Sequence, residues 1–177
     1  MNTDKYRLNW YVVRSMSRCE KKCLENLTKK GIEVFLPIHK VRKRWSDRIK
    51  VIEEPLFNGY IFVHIQDHQR YDVLNTSGVF NFVQFKGEIA QISELEIAGI
   101  RNALSQNVDL EVVEIDLEIG EEILIKSGPF SGIYAKLIEV KNKYKILVSL
   151  EAMGQGIVVE IGKTRIEKID PKTRKIG

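Results

Sequence analysis

Between residues 121 and 169 the chain repeats one short pattern, an aliphatic run followed by a turn. The runs are Glu121–Lys126, Ala135–Val140, Tyr144–Leu150, Gly156–Glu160 and Thr164–Ile169. Between them stand Ser127-Gly128-Pro129, Ser131-Gly132, Asn142-Lys143 and Gly162-Lys163. Strands this short and this evenly spaced bury an apolar face by curling one antiparallel sheet on itself. A small five-stranded β-barrel is expected. Nothing earlier in the chain has that texture.

The charge changes sign at the same place. Residues 1–107 carry 17 basic and 12 acidic side chains, so 17 − 12 = +5; residues 108–177 carry 11 and 12, so 11 − 12 = −1. Asp109, Glu111, Glu114, Asp116 and Glu118 fall in one stretch with no basic residue. The expected organisation is a domain over 1–107, an acidic linker over 108–118, whose several Val, Ile and Leu suit partial packing, and the barrel over 119–177.

The first domain mixes both periodicities. Leu8–Met16 reads as a strand, rich in aromatic and β-branched residues. Ser17 and Glu20 form a capping box for a helix to Lys30, with Cys19, Cys23 and Leu27 on one face and Gly31 as its stop. Ile32–Ile38 reads as a strand, with Pro37 marking an edge position or a bend. A hairpin arm follows, with its turn near Ser46-Asp47 and its return over Ile49–Glu53. Tyr60–Ile65 is a strong strand, His68–Thr76 a short helix and Val79–Phe85 a strand. Ser93 and Glu96 cap a last helix to Gln106, with Ile97, Ile100 and Leu104 on one side. The class is α+β, an N-terminal antiparallel sheet with flanking helices followed by the barrel.

Several function classes fall away. The two cysteines, Cys19 and Cys23, have no second Cys/His pair at zinc spacing and read as reduced apolar residues of a helix face. His39, His64 and His68 lie on different elements. There is no phosphate-binding glycine loop and no nucleophile elbow, so no enzyme activity, metal or cofactor is expected. No apolar run approaches the roughly 20 residues that cross a bilayer, and MNTDKYRLNW lacks a secretory h-region. A cytoplasmic monomer with no membrane contact is expected.

The arm concentrates the basic excess: Lys40, Arg42, Lys43, Arg44, Arg48 and Lys50, with Trp45 among them and only Asp47 against them. Cations around an aromatic suit nucleic-acid phosphates and bases. A solvated hairpin with Trp45 packed on its own domain is the other reading. A net charge of +4 argues against tight, general nucleic-acid binding as the main task.

Three motifs together resemble one family. Trp10-Tyr11-Val12-Val13, Pro55-Leu56-Phe57-Asn58-Gly59-Tyr60-Ile61-Phe62-Val63, and Gly78-Val79 leading to Phe82-Val83 resemble the N-terminal domain of NusG-type transcription elongation factors. Ile119-Gly120-Glu121-Glu122-Ile123 and Ser127-Gly128-Pro129-Phe130-Ser131-Gly132 resemble the KOW barrel that follows it. Arg44-Trp45-Ser46-Asp47-Arg48-Ile49-Lys50 and Lys145–Gly154 resemble the UpxY-like branch, specialised paralogues of surface-polysaccharide operons. Asn58 stands where the family commonly has Pro, and Asn holds the same turn. Ala135 stands where KOW sequences usually have Gly.

The resemblance implies a non-enzymatic elongation or antitermination factor. Its N-terminal domain would bind the clamp coiled coil of RNA polymerase, with Tyr60 and Phe62 on the binding face and Trp10, Tyr11, Phe82 and Phe85 as further candidates. Strand alternation puts Ile61, Val63 and Ile65 on the core face and leaves Tyr60 and Phe62 freer, whereas Trp10, Phe82 and Phe85 suit core packing. The basic arm would meet non-template DNA or nascent RNA. The barrel loop Gly128, Pro129 and Phe130 would meet a small-subunit ribosomal protein or the termination factor Rho, unless Phe130 caps the barrel instead. A housekeeping NusG acting with Rho and a KOW-type RNA- or ribosome-binding protein are the alternatives. Separate domains and a barrel that stays β are expected.

Overall fold

The structure, a computed structural model, describes residues 7–114, 121–140, 144–161 and 165–169. The expected linker end at 115–118, the barrel start at Ile119-Gly120 and the turns at Asn142-Lys143 and Gly162-Lys163 lie outside the described residues. Chain contacts divide the protein into two units, Met1–Ser93 and Glu94–Gly177. The last helix of the expected N-terminal domain thus groups with the second unit.

The first unit is built on β1 (Asn9–Ser15), β2 (Glu33–Phe35), β5 (Tyr60–Ile65), β6 (Val79–Phe82) and β9 (Gln91–Ile92). Their order is β2-β5-β1-β6, with β9 also on β1, and every pairing is antiparallel. One face carries Tyr11, Val13, Ile61, Val63, Ile65, Val79 and Phe82. It packs with Cys23 and Leu27 of α1 (Glu20–Lys29) and Val73 of α2 (Arg70–Leu74) into the core. The alternation Ile61-Phe62-Val63-His64-Ile65 therefore sends its aliphatic residues inward, as strand geometry requires.

The start of α1 differs from the expected capping box. Arg18 takes a left-handed φ of 56°, and the Cys19 N–H donates to the Met16 carbonyl, so a turn separates Ser17 from the helix. Cys19 is the N-cap and contributes no side-chain cap bond. Glu20 is used elsewhere: its Oε1 accepts the Gly59 N–H at 2.8 Å, tying the helix to the turn before β5. Gly59 sits at φ 81°, where a Cβ is disfavoured.

Two hairpins form two-stranded sheets of their own. β3 (Ile38–Arg44) pairs with β4 (Ile49–Pro55), and β7 (Gln84–Phe85) with β8 (Glu88–Ile89). The β3–β4 turn falls at the expected place, closed by the Trp45 N–H on the Arg48 carbonyl at 2.8 Å.

The second unit holds α3 (Glu94–Ser105) and a six-stranded antiparallel sheet. Its strands are β10 (Glu111–Glu114), β11 (Glu121–Ile125), β12 (Tyr134–Val140), β13 (Tyr144–Leu150), β14 (Gln155–Ile161) and β15 (Ile166–Lys168), in the order β10-β14-β13-β12-β11-β15. All five expected strands are present. Two features correct the expectation. The acidic segment supplies a sixth strand, since Val112 lies opposite Ile157 and Val113 opposite Gly156. Among the described residues no pairing joins β10 to β15, so the sheet is not closed into a barrel. Ile123, Ile125, Ile146, Val148, Leu150 and Ile157 form its interior.

Candidate nucleic-acid and protein interface

The six aromatic candidates of the first unit divide between the two faces of one sheet. Cross-strand pairing sets Trp10 opposite His64, Val12 opposite Phe62 and Arg14 opposite Tyr60. Trp10, Tyr60 and Phe62 therefore share the face away from α1. Trp10 stacks on His64 with centroids 4.6 Å apart and planes 7° from parallel. His64 Nδ1 lies 2.9 Å from Glu33 Oε2. Phe62 is flanked by Phe35 at 6.0 Å and meets Phe57 edge-on at 5.9 Å.

Tyr11 and Phe82 are on the core face and meet edge to face at 6.0 Å. The Tyr11 hydroxyl accepts from Arg70 Nη2 at 3.3 Å and donates to Asp67 Oδ1 at 3.3 Å. Arg70 also pairs with Asp67. These part-buried bonds tie Arg70, the first residue of α2, to β1. Phe85 is half-buried on β7, with Lys86 Nζ 4.9 Å from its ring centroid.

Burial decides which of these is open to a partner. Trp10, Tyr11 and Phe82 are buried, as core packing requires. Phe62 is 0% exposed, which corrects the expectation that its face stands free. Phe35 and Phe57 lie against its ring, contacts that strand alternation on β5 alone does not reveal. Tyr60 remains half-buried at the Gly59 turn.

The arm is the open surface. Lys40, Arg42, Lys43, Arg44, Arg48 and Lys50 are all exposed. Trp45 is 56% exposed at the tip, which decides against its packing on the domain. Lys50 Nζ lies 5.8 Å from its ring centroid. Ile49 and Val51, 70% and 55% exposed, were not picked out from the sequence as surface residues. Their spacing of two within a charged strand was the available signal.

In the second unit Gly128 is exposed and Pro129 half-buried, but Phe130 is not an exposed anchor. Phe130 is 3% exposed, and its ring lies over Gly99 of α3. A Cβ on Gly99 would fall 2.6 Å from Phe130 Cδ1 and 3.4 Å from Ile133 Cδ1. Phe130 thus packs on a helix rather than capping a barrel end. Gly99 escaped the sequence reading because a single glycine inside a helical pattern has no signature of its own.

Among the described residues no group of three or more His, Cys, Asp or Glu could hold a metal ion, and no helix is long and apolar enough to cross a membrane. Cys23 is buried, and burial pushes its thiol from 9.0 up to about 11, with the neighbouring Cys19 adding to the effect. Such a thiol is protonated and unreactive near neutral pH.

Known proteins resemble this one along almost its full length. Residues 8–101 match the family described as transcription termination factor nusG. The transcription termination/antitermination protein NusG of Halalkalibacterium halodurans is 30% identical over 176 residues, covering 91% of this chain and 98% of its own. That of Staphylococcus aureus strain Mu50 is 29% identical over 173 residues, covering 90% and 95%. The solved structure titled "Domain interaction in Thermotoga maritima NusG" matches with a TM-score of 0.55 at 25% identity, covering 93% of this chain and 98% of that one. With more than half of its length matched by the family and a relative aligned nearly end to end, the chain belongs to the NusG family of transcription termination factors.

Proposed function

We propose that the protein is a specialised transcription elongation and antitermination factor that engages RNA polymerase through its first unit and is recruited to surface-polysaccharide operons. The observation that carries the specialised part is the arm. The stretch Arg44–Lys50, where the chain resembles the UpxY-like branch, forms the exposed tip of a hairpin that, among the described residues, has no sheet partner beyond itself. Large apolar side chains held in water there, Trp45 and Ile49, suit an external ligand.

The clamp coiled coil of polymerase is the proposed protein partner, and Tyr60 the proposed contact. Tyr60 lies where the sheet meets the Gly59 turn, and its half-buried ring offers an apolar body with a polar tip. Phe62 and Trp10 support that contact from below, because buried aromatics hold the strand rigid. Tyr11 and Phe82 belong to the core and Phe85 to a separate hairpin, so they carry no direct contact. The arm is placed on nucleic acid, non-template DNA or nascent RNA. With Phe130 buried against Gly99, neither Rho nor a ribosomal protein is assigned to that loop.

The test uses the full chain. Tyr60→Ala weakens binding to the isolated clamp coiled coil about tenfold, near 1.4 kcal/mol. Failure of the folded wild-type chain to bind the coiled coil overturns the polymerase contact. In transcription assays, readthrough rises on the leader of a surface-polysaccharide operon and not on an unrelated template. Equal effects on both templates overturn the specialised reading and favour a housekeeping role.

A further inference from the structure

The two faces of the β3–β4 hairpin differ in chemistry. Cross-strand pairs Lys40–Glu53, Arg42–Val51 and Arg44–Ile49 point to one side. Pairs His39–Glu54, Val41–Ile52 and Lys43–Lys50 point to the other. On the second side the cations already have partners: Lys43 Nζ is 2.7 Å from Glu54 Oε2, and Lys50 lies beside Trp45. Val41, Ile52 and Glu54 are half-buried there. On the first side every residue from Lys40 to Arg44 and from Ile49 to Glu53 is exposed. Among the described residues, Lys40, Arg42 and Arg44 form no ion pair.

We propose that this first face is a backbone-tracking surface for an extended single strand of nucleic acid. The proposal rests on the reading of the arm above and assigns it a face and a ligand. Lys40, Arg42 and Arg44 recur at every second residue, so their Cα atoms follow one another at about 6.7 Å along β3. That row matches a chain of successive phosphates, and cations without carboxylate partners gain most when phosphates displace counterions. Glu53, opposite Lys40, is the one carboxylate on this face, and Asp47 lies in the exposed turn.

Ile49 and Val51 decide between single strand and duplex. They run beside the cationic row, and neither can hydrogen-bond to base edges in a groove, which is how a β-ribbon reads a duplex. Apolar side chains beside a phosphate track instead suit the sugars and faces of unstacked bases. In a duplex those base faces are hidden.

The experiment is fluorescence anisotropy of the full chain with a labelled mixed-sequence DNA strand, and with the duplex of the same sequence, across a salt titration. The single strand binds more tightly than the duplex. The triple variant K40Q/R42Q/R44Q weakens single-strand binding at least about tenfold and lowers the salt slope by about 2, from roughly 0.7 per lost phosphate contact. Glu53→Gln strengthens binding. The double variant K43Q/K50Q lowers the slope by much less than the triple variant does. Preference for the duplex, no binding of the single strand, or equal loss from both faces overturns the proposal. Affinity of the triple variant for the clamp coiled coil is measured alongside. It stays at the wild-type value, so failure of the nucleic-acid face is distinguishable from failure of the polymerase contact.

Discussion

Gly99 has no room for a methyl group. An alanine there gains up to about 1 kcal/mol of helix propensity. The new Cβ, at 2.6 Å from the Phe130 ring, meets a side chain that is itself buried. Overpacking of this kind costs about 1–3 kcal/mol and wins. Gly99→Ala therefore lowers stability in the wild-type background and raises it when Phe130 is also alanine, a sign change that urea unfolding of the four proteins of the cycle would read. Phe62→Ala costs about 3–5 kcal/mol, because the buried ring lies against Phe35 and Phe57. Circular dichroism melts of that variant check this, and they explain why Tyr60 is the informative substitution for binding. Cys23 gives a pH dependence. Its folded thiol holds its proton up to about pH 11, whereas the unfolded one releases it near 9.0. The folded state binds the proton more tightly, so this contribution to stability is complete below pH 9 and is lost as pH rises towards 11. Urea midpoints fall across that window, and Cys23→Ala shows a smaller fall. At this scale the sequence showed types better than surroundings. Trp10 and Phe82 were readable as core residues because they sit in apolar strands. The seat of Phe130 was not readable, because it depends on a glycine roughly thirty positions away.

Strands carried the most legible signal. The arm's two strands and its turn follow from charged and β-branched residues on either side of Ser46-Asp47, and the structure places them there. The element that misled was α1. Ser17 and Glu20 have the spacing of a capping box, yet Arg18 turns the chain left-handed and Glu20 bonds to Gly59 instead. A local motif lost to a tertiary hydrogen bond. The packing of the segment that holds β10 was legible in its Val, Ile and Leu, but its strand was not. Its acidic residues mark a linker by composition, while Val112 and Val113 between them have the β-branched character of a strand. Pairing with β14 is available only once the second unit is folded. As an edge strand it should open before the centre of its sheet. Val112→Pro removes a strand residue there, so amide exchange at 155–158 accelerates while Ile146 and Val148 on β13 keep their protection. Equal acceleration throughout the sheet would contradict the edge assignment.

Over the whole molecule, the order of motifs from Trp10 to Gly132 identified the family, because two modules in sequence are far more specific than either alone. The division into units was less legible. Chain contacts group α3 with the six-stranded sheet, whereas the acidic run suggested a boundary after it. Composition marks where charge changes, and packing follows apolar faces. Much of the aromatic sheet face is buried, which leaves Tyr60 at its margin and the exposed arm open to partners. If the arm contacts nucleic acid, its effect on transcription weakens with salt more steeply than binding of Tyr60 to the coiled coil, since only the former releases counterions from phosphates. Comparing the two dependences in one buffer series checks that division. The most direct test of the central claim is a reconstituted transcription assay with bacterial RNA polymerase and the full-length protein on a surface-polysaccharide operon leader followed by a terminator. The account predicts increased readthrough that is lost with Tyr60→Ala and reduced with K40Q/R42Q/R44Q. Unchanged readthrough with the protein bound to polymerase, or increased termination in the presence of Rho, would contradict it.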